Sequence, residues 1–407
     1  MTLVHPSPHP RALGVGVIGL GRAFTLMLPT FIADPRVRLS AGFDPRDEAT
    51  ARFTAEFKAN VHTTAEALAA DPAVDVVYVA SPAEHHAAHA IAAAKGGKHV
   101  LVEKPMAQSL AECQSMVDAA DQAGVHVIVG HSHSFDRPIL RTCELIASGV
   151  YGAPKMIAAQ YYTDFLFRLR RPAELDPAQG GGVILNQGAH QVDIVRLLAG
   201  GKATSVRALA GRWDPARPTD GAYAALVNFA NGAFASLVYG GYAHFDGDEL
   251  CNGVTELGSP VEPGRYGAAR RRMAGIADSR EEAAAKAARN YGGNAQVSYA
   301  ADNLSHQHFG LVLVSCERAD LRPLPSGVMI YADAEAKLDP LPPPDVPRSE
   351  VIDELFDAVV RGRAPLHDGR WGTATLEVCV AMLTSAREHR DVALHEQVAV
   401  PAPSAPA

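Results

Sequence analysis

The chain has 407 residues, enough for two domains, and its 47% hydrophobic and 20% charged residues are the proportions of an ordinary globular protein. A formal net charge of -8 speaks against nucleic acid or an anionic membrane surface as the main partner. Five scattered cysteines, none in a Cys-x-x-Cys pair, point to reduced thiols and a cytoplasmic setting, and no stretch has the run of a signal peptide or a membrane span.

Residues 13–18 read as a strand, with Val15, Val17 and Ile18 apolar, that runs into Gly19-Leu20-Gly21-Arg22-Ala23-Phe24 and then a helix. A Gly-x-Gly-x-x-Gly also falls on Gly14, Gly16 and Gly19, but it would put the phosphate turn inside the strand, ahead of any helix N-terminus. In the register adopted here, Gly19 makes the tight turn, Gly21 lets a pyrophosphate approach the backbone, and the helix start supplies N–H donors. Phe24 stands where a third glycine usually sits, so the motif is degenerate. A second strand, residues 37–43, ends at Asp44. The acid that accepts the ribose hydroxyls of NAD is expected about 20 residues after the glycine turn. Arg46 lies close enough to grip a 2′-phosphate, so NADP stays open.

A third apolar strand over 74–80 ends in Ser81-Pro82-Ala83-Glu84-His85-His86, and a helix over 87–94 stops at Gly96-Gly97. The next run, Val100-Leu101-Val102, is too short for a helix and suits a strand buried on both faces. It delivers Glu103 and Lys104 to a strand's C-terminal edge, where open parallel sheets hold their ligands, and Pro105 keeps Lys104 extended. An amine on that rim is a candidate proton carrier; the plain alternative is a loop ion pair with Glu103. A helix over 110–123 and a strand over 125–129 complete an alternation that predicts an α/β fold with a doubly wound parallel sheet over 11–134.

Gly19-Leu20-Gly21, Asp44, the Ser81 to His86 motif and the run from Gly97 to Pro105, taken together and in this order, resemble the Gfo/Idh/MocA oxidoreductase family. The resemblance implies NAD(P)-dependent hydride transfer on a small-molecule substrate. Gly19 to Phe24, Asp44, Arg46, Ser81, Pro82, His86, Glu103 and Lys104 would then lie at the cofactor. It also implies a second α+β domain over 135–398 with a large, mostly antiparallel open sheet, through which the chain would form a dimer or tetramer. Residues 245–300 read as an insertion in that domain, and 399–407 as a disordered tail.

The second half carries Gly130-His131-Ser132-His133-Ser134-Phe135-Asp136. The family often has an arginine just before this Phe, and Ser134 replaces it. His131 and His133 would point the same way on a continued strand, but two histidines do not close a metal site, and His306-x-His308 is similarly isolated, so no metal is expected. In Asn186-Gln187-Gly188-Ala189-His190-Gln191-Val192-Asp193, helical spacing sets His190 and Asp193 on one face, with the acid close enough to orient the ring. The family pattern Asp-x-Gly-x-His-x-x-Asp implies that His190 and Asp193 belong to the active site; Asn186 replaces its first acid. Strands are expected over 203–211, 222–229 and 233–239, with Asn231-Gly232 as a hairpin turn, and over 309–316. A helix-prone stretch covers 265–290, and two helices, 350–360 and 373–388, follow a proline-rich spacer.

Removal of hydride from a carbinol requires a base at the hydroxyl. Lys104 and His190 are the candidates, with Asp193 as orienter and His133, Asn186, Gln187 and Arg168 as substrate contacts. The turn from Gly21 to Pro29, the stretch 130–136 and the insertion resemble the family's phthalate dihydrodiol (4,5-dihydroxyphthalate) dehydrogenase branch, which implies oxidation of a cis-dihydrodiol of phthalate. Its carboxylates need cations, for which Arg168, Arg170, Arg171 or the run Arg270 to Arg272 are available. The alternatives are a sugar, inositol or amino-sugar dehydrogenase and a non-catalytic cofactor-sensing regulator. Retention of Lys104, His190 and Asp193 together speaks against the regulator.

Overall fold

β1 (Leu13–Ile18) is buried along its whole length, as a strand must be when parallel neighbours flank it and helices cover both faces. In this computed structural model, which describes residues 12–293 and 304–400, β1 lies at the centre of a six-stranded parallel sheet. Its partners are β2 (Val37–Phe43), β3 (Asn60–Val61), β4 (Val76–Val79), β5 (His99–Val102) and β6 (Val127–Val129), in the order β3-β2-β1-β4-β5-β6. The order reverses between β1 and β4, and the crevice beyond the strand ends opens there. Gly14 and Gly16 lie within β1, where they serve packing: a Cβ on Gly14 would sit 1.9 Å from the Ala73 carbonyl, and one on Gly16 2.7 Å from Leu68. Gly19, at φ +95°, makes the turn instead, and the helix Arg22–Ala33 starts from Gly21.

A second, nine-stranded sheet takes in β7 (Pro154–Tyr162), β8 (Ala203–Gly211), β9 (Ala222–Phe229), β10 (Phe234–Gly240), β11 (Leu311–Cys316), β12 (Ala319–Leu324), β13 (Gly327–Ala332), β14 (Ala336–Pro340) and β15 (Val392–Ala393). Every neighbouring pair is antiparallel except β10 with β7. Burial alternates strictly along β9, so one face is apolar and packed while the other is open. The helices Ala189–Ala199 and Gly369–Glu388 cover the packed face, and their residues join Tyr161, Tyr223 and Tyr239 in one core cluster.

Several expectations need correction. The helix-prone stretch 265–290 forms two helices, Ala268–Ala274 and Ser279–Ala287, because Gly275 ends the first and the Asp278 carboxylate caps the second. The strand carrying His131 and His133 stops at Val129, and His133–Phe135 is a single 3-10 turn. Residues 401–407 of the expected tail lie outside the described residues, whereas the Val400 N–H donates to the Gly200 carbonyl and is part of the fold.

Candidate active site

A cleft of about 690 Å³ runs between the ends of the parallel strands and the second sheet. Gly21, Arg22, Ala23, Ser81, Pro82 and His86 line one part of it, and Glu103, Lys104, His133, Asn186, Gln187 and His190 another. The cleft thus gathers most of the residues singled out in the sequence. The helix Arg22–Ala33 opens on it with no side-chain cap and no acid in its first turn, and a Cβ on Gly21 would meet nothing nearer than the Ala80 carbonyl at 4.0 Å. Uncapped N–H groups beside a bare glycine fit the pyrophosphate of a dinucleotide. The His86 ring lies 2.9 Å from the Pro105 carbonyl and 2.8 Å from that of Ser81, tying the two loops together.

Asp44 and Arg46 are placed differently from their expected role. Asp44 Oδ2 accepts from the Leu20 N–H at 2.7 Å, and Arg46 forks onto the same carboxylate while also donating to the carbonyls of Leu20 and Tyr291. Neither lines the cleft. Gly19, Leu20 and Phe24 also lie off it: Gly19 shapes the turn, Leu20 is fully buried, and Phe24 packs edge-on against Tyr291 in the core.

Glu103 and Lys104 leave β5 as expected. Glu103 accepts from the Tyr78 hydroxyl at 2.6 Å, and Lys104 Nζ donates to the Asn186 carbonyl at 2.7 Å. Burial lowers the Lys104 pKa below its usual 10.5; Glu103 and Glu256 oppose this, and Arg170 and Arg348 add to it. His190 sits in the first turn of Ala189–Ala199, behind a π-helical turn over Ile184–Gly188. Its Nδ1 accepts from the His133 N–H at 3.4 Å. Burial, with Lys104 and His133 nearby, holds its pKa well below 6.5, so the ring is neutral, with Nδ1 as acceptor and the ring proton on Nε2.

Asp193 does not orient His190. Its carboxylate accepts from Trp371 Nε1, from Thr375 Oγ1 at 3.0 Å and from Ser134 Oγ at 2.5 Å. These donors, on the helix Gly369–Glu388 and on the 3-10 turn, draw the side chain away from the imidazole. Ser134 Oγ also meets His367 Nε2 at 2.9 Å, and His367 Nδ1 meets Glu354 at 2.8 Å. The orienting groups lie on the other side of the cleft. Asp136 places one oxygen 2.7 Å from His133 Nδ1 and the other 3.3 Å from His131 Nε2. His133 Nε2 is 3.7 Å from Glu256, which in turn meets Arg168 at 3.4 Å. Burial pulls the His133 pKa down, but Asp136 and Glu256 outweigh it and leave a net rise, whereas burial takes His131 down to about 3.

His131, His133 and Asp136 bring ligand-type atoms within 4.8 Å of one another, and each carboxylate oxygen already serves one ring. His306 and His308 are each met by a backbone carbonyl. None of the run Arg270 to Arg272 lines the cleft: Arg270 stacks over Phe167 and donates to the Tyr242 carbonyl, Arg271 bonds the carbonyls of Tyr266 and Gly264, and Arg272 is exposed. Glu256 and Arg348, which line the cleft, were missed. Glu256 sits in the insertion, where only its charge in a loop marked it.

Residues 13–131 match the family described as "Oxidoreductase family, NAD-binding Rossmann fold", and residues 139–251 match "GFO/IDH/MocA C-terminal domain". The chain is 46% identical over 379 residues to a 1-carboxy-3-chloro-3,4-dihydroxycyclohexa-1,5-diene dehydrogenase of Comamonas testosteroni, covering 92% of this chain and 94% of that one. A solved structure from Bordetella bronchiseptica superposes with a TM-score of 0.89 at 37% identity, over 94% of this chain and 100% of the other. A Bordetella pertussis dehydrogenase in complex with NADH and UDP-GlcNAcA shares the fold, with a TM-score of 0.66 at 20% identity over 95% and 99% of the chains. Among the described residues, no helix is long and apolar enough to cross a membrane.

Proposed function

Because the chain belongs to the Gfo/Idh/MocA family of NAD-binding oxidoreductases, we propose that it oxidises a carboxylated cis-dihydrodiol, of the phthalate type, to the corresponding catechol. The observation that carries this reading is a half-buried amine and a neutral imidazole sharing one cleft, Lys104 and His190. The carboxylated dihydroxycyclohexadiene named for the 46% identical relative supports the substrate class.

NAD, when bound, supplies the acceptor for the carbinol hydride. Lys104, as the free amine, takes the hydroxyl proton while that hydride departs, which leaves a hydroxy-ketone. The Lys104 ammonium then returns its proton to the ketone oxygen while the adjacent ring carbon loses its proton to water; His190, whose Nδ1 accepts from the His133 N–H and whose Nε2 therefore carries the ring proton, donates a hydrogen bond to the substrate oxygen. The product is the aromatic diol, and the one proton released overall goes to water. Gly21, Arg22, Ala23, Ser81, Pro82 and His86 would hold the dinucleotide. His133, Gln187, Arg168 and the Asn186 carbonyl would position the diol.

NAD is favoured over NADP because the Arg46 guanidinium is already spent on Asp44 and two carbonyls. The open face of the second sheet, with Met156, Leu226, Phe234, Tyr331 and Leu338 exposed, supports assembly of two or four copies through it. The deciding experiment offers phthalate cis-4,5-dihydrodiol and a panel of polyols with NAD and with NADP, following absorbance of the reduced cofactor. Turnover of the dihydrodiol with NAD preferred at least tenfold is expected; turnover of polyols alone would sink the reading.

A further inference from the structure

A second cavity of about 400 Å³ opens off the cleft and shares Arg22, Phe165, Arg170, Glu256 and Lys286 with it. Six cationic side chains face this annex against one carboxylate, that of Glu256. Such an excess in a partly buried wall is costly unless counter-ions meet it, and for three of the six they do. Arg168 meets Asp164 at 3.0 Å and Glu256 at 3.4 Å, Arg265 meets Asp248 at 3.3 Å, and Lys286 meets Glu174. Arg22 is engaged at the helix start with Thr25.

Two guanidinium groups remain. Arg170 lies 3.5 Å over the Phe165 ring and donates from Nη2 to the Phe165 carbonyl, but its Nε is buried with no partner, and among the described residues no carboxylate meets its guanidinium. Arg289, in the insertion, has no side-chain hydrogen bond or ion pair among the described residues, and it is half-buried near Arg272 and Arg168. Both face a space large enough for a substituted six-membered ring's side groups. The annex joins the cleft at Glu256, the residue that also meets His133, so it opens on the side where the substrate would lie.

We propose that this annex is the anion subsite for the substrate, with Arg170 and Arg289 each taking one carboxylate of a vicinal dicarboxylate. The inference rests on the dihydrodiol reading and narrows it to a diacid. Planar forks match carboxylates in pairs, and two forks that no carboxylate meets among the described residues match two carboxylates better than one. The insertion is thereby the element that selects the diacid, since Arg289, Arg265 and Lys286 all come from it.

The test is calorimetric titration of the full-length protein, loaded with NADH, with phthalate and with benzoate, alongside turnover of the matching cis-dihydrodiols. Phthalate is expected to bind more tightly than benzoate, and Arg289→Gln to shrink that preference ~10–100-fold, the size of a lost charged pair. Arg289→Lys, which keeps the charge and loses the fork, gives an intermediate loss, and circular dichroism confirms that both variants fold. A preference that is absent, or unmoved by either variant, overturns the annex. So does an equal rise in the NADH dissociation constant, which would assign the annex to the cofactor's phosphates. Failure of the wild-type protein to turn over any dihydrodiol, with the phthalate preference intact, overturns the functional reading and leaves the anion subsite standing.

Discussion

Replacement of Lys104 by methionine isolates the proposed chemistry from the fold. The side chain is similar in length and apolar, so it fills the same half-buried space at the end of β5 without a desolvation cost. The Nζ bond to the Asn186 carbonyl at 2.7 Å is lost, and leaving that acceptor unmet costs about 1–3 kcal/mol. That is a fraction of the 5–15 kcal/mol that typically holds a native protein together, so the variant remains folded. Loss of a positioned general base slows turnover by roughly 10²–10⁴-fold. The glycine turn and helix start are untouched, and the NADH dissociation constant, read by fluorescence, stays within about threefold. The pH profile gives a second readout. Burial lowers the Lys104 pKa, so in the wild type the free amine is gained, and oxidation accelerates, as pH rises through a value below 10.5. His190 titrates well below 6.5 and cannot supply that limb. Stopped-flow measurement of NADH formation from pH 6 to 10 should show the limb in the wild type and its absence in Lys104→Met. Activity within tenfold of wild type, or an unchanged limb, would remove Lys104 from the mechanism.

Two further changes probe the parts on which the sequence was least informative. Asp193→Asn places an amide among three donors, from Trp371, Thr375 and Ser134, and leaves at least one of them facing an N–H. A cost of roughly 2–4 kcal/mol is expected, seen as a melting temperature lower by several degrees, with turnover kept within tenfold because His190 is held by the His133 backbone. A thousandfold loss of turnover at unchanged melting temperature would return Asp193 to the catalytic machinery. Phe234→Glu combined with Leu226→Glu puts charge on the open face of β9 and β10 and should reduce the sedimenting mass to that of one chain. An unchanged mass at micromolar concentration would place the subunit contact elsewhere.

The nucleotide-binding half was legible because its signals are local. β5 reads as a buried strand from three consecutive apolar residues, and its exit fixes where Glu103 and Lys104 must stand, whatever the rest of the chain does. The second half is governed by partners distant in sequence. Ala189–Ala199 is buried at every position, so no polar face marks its orientation, and the spacing of His190 and Asp193 says which residues share a side without saying which donors wait there. Trp371, Thr375 and His367 lie far along the chain, and nothing near Asp193 announces them. β14 went unread for the opposite reason: it is an edge strand, largely exposed, without the alternation that marks a half-buried one. Arg170 and Arg289 could be counted as cations but not told apart from Arg270 to Arg272, since only tertiary packing decides which guanidinium lines the annex.

Ser134, just before Phe135, shows how a short side chain settles the charge of Asp193. A guanidinium at that point would set a permanent cation against Asp193. Ser134 is too short to do so, and its hydroxyl instead bridges Asp193 to His367. Burial works against charge on that imidazole, but Glu354 on its far nitrogen outweighs it, and the His367 pKa is raised. Arg196, stacked over Trp371 and bonded to Thr375, adds a second cation beside the same carboxylate. The negative charge of Asp193 is therefore met on the side away from the cleft. Lys104, with burial as the leading influence on its pKa, is left to respond to Glu103, Glu256 and the arginines that face it. A lysine neutralised by Asp193 would keep its proton and be useless as a base; one screened from it by His367 and Arg196 can give the proton up.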